Sequence, residues 1–118
     1  MTAIELLDAT LRDGSYAVDF NFEPEFVQEL LRRLDSSGVG LIEIGHGLGI
    51  EAERDGAKLC NISLSDWVSL AQESLDRARW GFFAQPRFSR PETVAALSNE
   101  GMSFLRVGLR AESITQNM

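Results

Sequence analysis

Arg12 and Asp13 stand side by side in the segment DATLRDG, residues 8–14, and Gly14 follows them. A carboxylate such as that of Asp13 is a hard oxygen ligand for a divalent cation. A neighbouring guanidinium can stabilise the negative oxygen of a developing enolate. The same pair can also be interpreted as a salt bridge before a glycine turn, without a role in chemistry. The two residues alone favour this second interpretation.

A second candidate is Glu43, which lies between Ile42 and Ile44 in the segment IEIGHGLG, residues 42–49. A carboxylate in such apolar surroundings needs a partner or becomes neutral. If the first two strands are neighbours, Arg12 is the expected partner, and a purely stabilising ion pair is the alternative. His46 is the only histidine of the chain, and a lone histidine is more often a hydrogen-bonded loop residue than a ligand.

The apolar pattern indicates which elements position these residues. Strands are predicted over 4–10, 41–45, 79–84 and 103–109, the first of them short and buried. Helices are predicted over 23–37, 65–78 and about 90–100, and residues 111–118 resemble the start of another. Pro24 suits a first helical turn, Gly38 a helix end, and Ser89 with Glu92 a capping box. A long polar loop is expected from His46 to about Ser63.

Regular alternation of strands and helices predicts an α/β fold with parallel strands. Four such units suit either an open sheet or the first half of a (β/α)₈ barrel, which needs about 250 residues. Periodicity does not decide between the two. In both folds the chemistry lies at the C-terminal ends of the strands, which is where Arg12, Asp13 and His46 are expected.

Composition excludes some classes of function. The 118 residues carry a net charge of −7, and their paired basic residues form no stripe, so a nucleic-acid partner is not expected. The sequence has no apolar stretch long enough to span a membrane, and its first residues do not resemble a signal peptide. A single cysteine, Cys60, cannot form an internal disulfide. We therefore expect a cytoplasmic protein.

DATLRDG, followed some thirty residues later by IEIGHGLG, resembles the TLRDG and IEVGHGDG motifs of the 4-hydroxy-2-oxovalerate aldolases. FLRVGLRAE, residues 104–112, is similar to their fourth strand and the loop after it. More widely, the chain resembles the DRE-TIM metallolyases, a TIM-barrel superfamily that includes hydroxymethylglutaryl-CoA lyase, isopropylmalate synthase and the pyruvate carboxyltransferases. The resemblance spans all four predicted units.

The resemblance implies a metal-dependent carbon–carbon lyase that cleaves a 2-oxo acid through a pyruvate-type enolate. The divalent metal would be Mn or Mg, with Zn as an alternative. It also implies a role for each matching residue. The expected catalytic residues are Arg12, Glu43 and Tyr16, the expected substrate-binding residues are His46 and Arg106, and the expected metal ligand is Asp13.

Two departures from the family pattern matter. Tyr16 stands where the valerate aldolases have a histidine thought to serve as acid and base, which puts the valerate substrate in doubt. The family's His-x-His metal ligands, which belong to the second half of the barrel, do not occur in this sequence. We therefore expect residues 1–118 to be the N-terminal half of a barrel domain, truncated or in need of a partner chain that completes it.

Other interpretations remain. Within the same superfamily, a Claisen-type synthase is the nearest variant. A non-catalytic half-barrel that assembles with itself or with a complementary half is a different class, because two open sheet edges promote association. Gly47 to Ala52 formally match a dinucleotide fingerprint, but no helical pattern follows them directly, as that motif requires. No serine-nucleophile elbow occurs.

Overall fold

Four strands alternate with helices along residues 4–109, which are the residues that the computed structural model describes. The strands are β1 (Leu7–Asp8), β2 (Leu41–Ile44), β3 (Arg79–Ala84) and β4 (Phe104–Val107). The helices are α1 (Thr10–Gly14), α2 (Pro24–Ser37), α3 (Leu64–Ser74) and α4 (Pro91–Asn99), and a 3₁₀ turn spans Ala52–Asp55. The α/β prediction is confirmed. The helix start predicted over 111–118 lies outside the described residues.

The strands form one parallel sheet in the order β1-β2-β3-β4. Each strand pairs with the next one along the chain, so the order does not reverse as it does at the switch point of a doubly wound sheet. This sequential order is the one that a (β/α)₈ barrel requires. The arrangement therefore fits part of such a barrel better than the open sheet that periodicity had left as an alternative.

Alternation along the strands separates two faces of the sheet. One face carries large apolar side chains that pack against the helices. Its buried members are Ile42, Ile44, Trp80, Phe82 and Ala84. The register pairs Glu43 with Gly81 and Phe83 with Arg106, so the other face carries Glu43, Phe83 and Arg106 together.

Helix α2 agrees with its prediction at both ends. Pro24 is its first residue, and Gly38 follows it with a φ of 93°, a left-handed conformation that glycine adopts without strain. Val27 and Leu31 are completely buried. Phe26 is 54% exposed and does not belong to the core; its ring stacks on Phe22 at the edge instead.

The prediction of a buried first strand over 4–10 is wrong in length and in burial. Strand β1 has only two residues, and Ile4 and Leu6 are 91% and 65% exposed. The carboxylate of Asp8 accepts hydrogen bonds from the backbone N–H and the hydroxyl of Thr10. These local bonds favour a turn over continued strand pairing, and α1 begins at Thr10.

Three other predicted boundaries shift. Helix α3 ends at Ser74 rather than at 78, because the carboxylate of Asp35 accepts the N–H groups of residues 76–78. The capping box at Ser89 and Glu92 is absent: Arg90 is the N-cap of α4, and the Ser89 hydroxyl donates to the carbonyl of Ile50. Strand β4 is shorter than the predicted 103–109.

Within residues 4–109, no helix has both the length and the apolar character that a membrane crossing would need.

Candidate functional site

Arg12 and Asp13 are presented by helix α1, directly after β1. The N–H of Asp13 donates to the carbonyl of Ala9 at 2.8 Å, and the Ser15 hydroxyl donates to the carbonyl of Arg12 at 2.7 Å. Helical turns, rather than the predicted glycine turn, therefore fix the backbone of this segment. As a result, Arg12 points towards the sheet, with its side chain 13% exposed, whereas Asp13 is 67% exposed.

Glu43 is completely buried on β2 and binds two arginines. Arg12 donates from Nε to Oε1 of Glu43 at 2.5 Å. Arg106, on β4, donates from Nε to Oε2 at 2.5 Å and from Nη2 to Oε1 at 2.7 Å. The ion pair predicted between Arg12 and Glu43 is present, and Arg106 adds a second one. This Arg12–Glu43–Arg106 group is called the arginine cluster below.

The electrostatics of the arginine cluster keep Glu43 ionised. Burial by itself would raise the pKa of Glu43, but the hydrogen bonds and positive charges of Arg106 and Arg12 outweigh it and lower the pKa below its ordinary value. The hydrogen bonds to Glu43 in turn raise the pKa of Arg106. Two cations thus share one buried anion, which leaves a net positive charge in the cluster.

The guanidinium of Arg12 is held by two further acceptors. Its Nη1 donates to the carbonyl of Gly47 at 2.8 Å, and its Nη2 donates to Oδ1 of Asp13 at 2.8 Å. Gly47 lies in the loop after β2, so Arg12 connects the first two βα units at the C-terminal ends of their strands. The Gly47 carbonyl was not predicted as a partner, because no local pattern reports a contact across 35 residues.

Asp13 is the only predicted metal ligand, and its exposed carboxylate is accessible. One of its oxygens already accepts from Arg12. Within residues 4–109, no group of three or more His, Cys, Asp or Glu side chains is arranged to hold a metal ion. The described residues therefore do not form a complete metal site, and the metal-binding role of Asp13 stays a prediction.

Tyr16 and His46 both contact the ring of Phe20. The ring of Tyr16 is half exposed and contacts Phe20 edge-on, with centroids 5.5 Å apart. The imidazole of His46 stacks on Phe20, with centroids 4.2 Å apart. Tyr16 is thus accessible to a ligand. Its catalytic role stays a prediction.

Both ring nitrogens of His46 are used by the loop. Nδ1 accepts from the N–H of Leu48 at 3.0 Å, and Nε2 lies 2.7 Å from the carbonyl of Lys58. Since Nδ1 must accept, Nε2 carries the hydrogen and donates. A substrate could bind His46 only by replacing one of these bonds. A cavity of about 150 Å³ lies behind His46, next to Cys60 and Trp67, and does not reach the arginine cluster.

Phe83 is a residue of the site that sequence reasoning missed. Its ring centroid lies 4.7 Å from the guanidinium carbon of Arg12 and 5.8 Å from that of Arg106. The apolar third strand gave no sign that Phe83 faces away from the core. The register of β3 against β2 and β4, which places Phe83 on the same face as Glu43, is the signal that was needed.

Comparison with known proteins shows that the chain is similar in sequence to enzymes named for 2-oxo acids. No model of a known protein family matches the chain. The chain is 35% identical over 102 residues to an oxaloacetate decarboxylase of Mycobacterium tuberculosis, covering 86% of this chain and 30% of that protein. It is 32% identical over 107 residues to a 4-hydroxy-2-oxovalerate aldolase of Roseiflexus sp., covering 91% and 32%. An aldolase of Rhodococcus opacus is 29% identical over 106 residues.

The predicted resemblance is confirmed by these matches. The chain is a distant homologue of 4-hydroxy-2-oxovalerate aldolases and of an oxaloacetate decarboxylase along about nine tenths of its own length. It spans about a third of the length of these curated relatives. An activity like that of the whole enzymes is therefore a proposal for this chain.

Proposed function

We propose that the chain is part of a metal-dependent carbon–carbon lyase that acts on a 2-oxo acid through a pyruvate-type enolate. The observation that carries the proposal is the fixed guanidinium of Arg12 at the C-terminal ends of the parallel strands. In barrels of this kind the active site lies at that end. The homology to enzymes named for 2-oxo acids supports the same reaction class.

Arg12 would stabilise the negative oxygen of the enolate. Three of its N–H donors are committed to Glu43, Gly47 and Asp13, which leaves two of the five donors of an arginine for a ligand. Donors that are fixed before the reaction do not have to reorganise as charge develops, which is why such groups lower the barrier. Glu43 would be a positioning residue for both arginines.

A divalent ion, Mn²⁺ or Mg²⁺ in preference to Zn²⁺, belongs to this proposal because the resemblance implies one. When bound, such an ion would supply further positive charge next to the oxygens of the 2-oxo acid. Asp13 would contribute one oxygen ligand. Because residues 4–109 contain no further ligand group around it, the other ligands would have to come from another part of a longer protein or from a partner chain.

Tyr16 favours decarboxylation over aldol cleavage within this class. Aldol cleavage of a 4-hydroxy-2-oxo acid needs a base that takes the proton of the hydroxyl group, while the C3–C4 bond breaks and an aldehyde leaves. Decarboxylation of oxaloacetate breaks the bond to a carboxylate, CO₂ leaves, and the electron pair stays in the pyruvate enolate, which then takes a proton. A phenol is a poorer base than an imidazole at neutral pH, and only the first reaction requires that base.

Pyruvate release tests the proposal. Oxaloacetate and 4-hydroxy-2-oxovalerate would each be offered with Mn²⁺ or Mg²⁺, and pyruvate would be followed by coupled reduction to lactate. We expect pyruvate from oxaloacetate, and about a 10²-fold lower kcat in Arg12→Lys, since lysine cannot reproduce the fixed donors. The matched control Arg33→Lys, on the exposed side of α2, should leave kcat unchanged. Because residues 4–109 do not form a complete metal site, the assay uses the longer protein or the chain joined by the partner that completes it. No pyruvate above the rate with the metal ion alone, from either acid, would refute the proposal.

A second candidate is an assembly role for the sheet edges. It is favoured by exposed apolar side chains on or beside both edge strands, namely Ile4, Leu6, Val107 and Leu109. Such side chains and unpaired strand edges promote association, either with another copy or with a complementary half-barrel. Light scattering coupled to size-exclusion chromatography tests this candidate, and a stable monomer at high protein concentration would argue against it.

A further inference from the structure

Phe83 lies directly beside the arginine cluster although it makes no hydrogen bond to it. Its ring centroid is 4.7 Å from the guanidinium carbon of Arg12 and 5.8 Å from that of Arg106. Both distances are within the range in which an aromatic face attracts a cation. Phe83 is also paired in register with Arg106 across the β3–β4 ladder, so backbone pairing holds the ring at this place.

Because Gly108 has no side chain, the ring of Phe83 can occupy the space beside it. A Cβ atom at position 108 would lie 2.5 Å from Cζ and 2.9 Å from Cε1 of Phe83. These distances are far too short for two carbon atoms, so any larger residue at 108 would displace the ring. Gly108 and the two guanidinium groups together restrict the positions available to the ring.

The charges of the cluster explain why such a ring is needed. Arg12 and Arg106 repel each other, and Glu43, which binds both, neutralises only one of the two charges. The other anion nearby, Asp13, pairs with Arg12 through a carboxylate that is 67% exposed. Arg106 is the less restrained of the two, with its side chain 44% exposed against 13% for Arg12. The negative face of an aromatic ring attracts both cations without accepting a full hydrogen bond. It thereby limits the rotamers of two long side chains and leaves their unused N–H donors free.

We propose that Phe83 is a positioning residue that fixes the guanidinium groups of Arg12 and Arg106 around Glu43, so that their free donors face a carboxylate ligand. The proposal rests on the proposed function, because it assumes that the ligand of the cluster is a 2-oxo acid or its enolate. It extends that function by assigning the fixed orientation of the two guanidinium groups to a side chain that itself makes no hydrogen bond to a substrate.

The test follows the Nε–H signals of the two arginines by NMR, assigned with Arg12→Lys and Arg106→Lys. Oxalate, a planar analogue of the pyruvate enolate, would be titrated with Mg²⁺. In Phe83→Leu we expect both Nε–H signals to lose their ring-current displacement and to broaden, Arg106 more than Arg12. The dissociation constant of oxalate should rise about two- to fivefold, the factor that an aromatic–cation contact of this kind supplies.

Two further variants separate positioning from general packing. Phe83→Tyr keeps the aromatic face and should restore the arginine signals and the affinity for oxalate. Phe88→Leu removes a buried phenylalanine that contacts Arg87 outside the cluster, and it should leave both readouts unchanged. If Phe83→Leu does not fold, Gly108→Ala is used instead, since it displaces the ring while Phe83 remains in place.

The outcomes distinguish the two proposals. Unchanged arginine signals and unchanged oxalate affinity in folded Phe83→Leu or Gly108→Ala would overturn the role of Phe83. Equal changes in Phe88→Leu would overturn it too, because they would report a general loss of packing. If the unaltered protein, together with the part that completes its metal site, does not bind oxalate with Mg²⁺, the proposed function is at fault, while the Nε–H signals still decide whether Phe83 positions the two arginines.

Discussion

Two buried carboxylates, Glu43 and Asp35, lie at opposite ends of the sheet and are stabilised in different ways. Glu43, near the C-terminal ends of the strands, binds the side chains of Arg12 and Arg106. Asp35, near the end of α2, accepts three backbone N–H groups of residues 76–78 at 2.7–3.1 Å. The negative charge of Glu43 is therefore stabilised by charged side chains, and that of Asp35 by peptide dipoles.

The difference separates a site from a structural support. Backbone amides are held in place by the folded chain, so the three hydrogen bonds of Asp35 fix the connection that leads from α3 into β3. Arginine side chains keep several N–H donors, and those that Glu43 does not use are available to a ligand. Burial of a carboxylate alone therefore does not identify a functional residue; the chemical type of its partners does.

The largest effect on stability is expected from Glu43→Ala. Removing the carboxylate leaves two arginines facing each other, and Arg12 is largely buried. Loss of one partner of a buried ion pair is strongly destabilising, and because Arg106 can turn towards solvent we expect about 3 kcal/mol in the free energy of unfolding. Urea denaturation measures it. A loss of stability smaller than that of Asp35→Asn would contradict the distinction between the two carboxylates.

A smaller loss, about 2 kcal/mol, is expected for Asp35→Asn. The amide of asparagine keeps the shape of the side chain, and its oxygen can still accept from the N–H groups of Arg77 and Ala78. Its NH₂ group, however, cannot accept from the N–H of Asp76, and the negative charge is lost. Urea denaturation again gives the value. Because Asp35 lies far from the arginine cluster, binding of oxalate by the folded variant should be unchanged, whereas Glu43→Ala should abolish it. A loss of oxalate binding in folded Asp35→Asn would contradict the distinction between the two regions.

Acid should reduce the stabilisation that both buried carboxylates, Glu43 and Asp35, give to the fold. Burial by itself would raise the pKa of Asp35, but its three amide hydrogen bonds outweigh it and lower the pKa, and the pKa of Glu43 is lowered as well. A group whose pKa is lower in the folded state stabilises it above the unfolded pKa, near 4 for a carboxyl. That stabilisation is lost as the pH falls through the folded pKa. The free energy of unfolding, measured from pH 6 to pH 3, should decrease towards acid, less steeply in Asp35→Asn.

The smallest effect is expected from Glu29→Ala, an exposed carboxylate on α2 that pairs with Arg33 one turn away. Pairs of this kind contribute about 0.3–0.5 kcal/mol. Urea denaturation in low and high salt should give a loss of this size that salt removes. A loss comparable to that of Asp35→Asn would mean that burial is not what distinguishes the two internal carboxylates from surface ones.

The sequence allowed the elements with regular patterns to be predicted well. Strand β3 and helix α2 have the predicted bounds within a residue, because period and stop signals are local. The Arg12–Glu43 pair could be predicted as well, since an acid between two isoleucines needs a counter-charge. The helical turn at 10–14 was missed, although Asp8 two residues before Thr10 is a known local turn signal.

Apart from the Arg12–Glu43 pair, contacts between distant segments could not be predicted. The bonds from Asp35 to residues 76–78 cross more than 40 residues, and nothing near Asp35 indicates them. The position of Phe83 depends on the register of three strands, which periodicity does not give. The exposure of Ile4 and Leu6 also depends on what covers an edge strand, and hydrophobicity alone predicts burial there.

The strand order also has a kinetic consequence for the arginine cluster. Arg12 and Glu43 are 31 residues apart and can meet as soon as the first two strands pair, whereas Arg106 lies 63 residues from Glu43 and is separated from it by β3. Contacts between more distant residues form more slowly because more chain entropy must be lost first. We therefore expect the Arg12–Glu43 pair to form earlier during folding than the Arg106–Glu43 pair, which needs β3 and β4 in place.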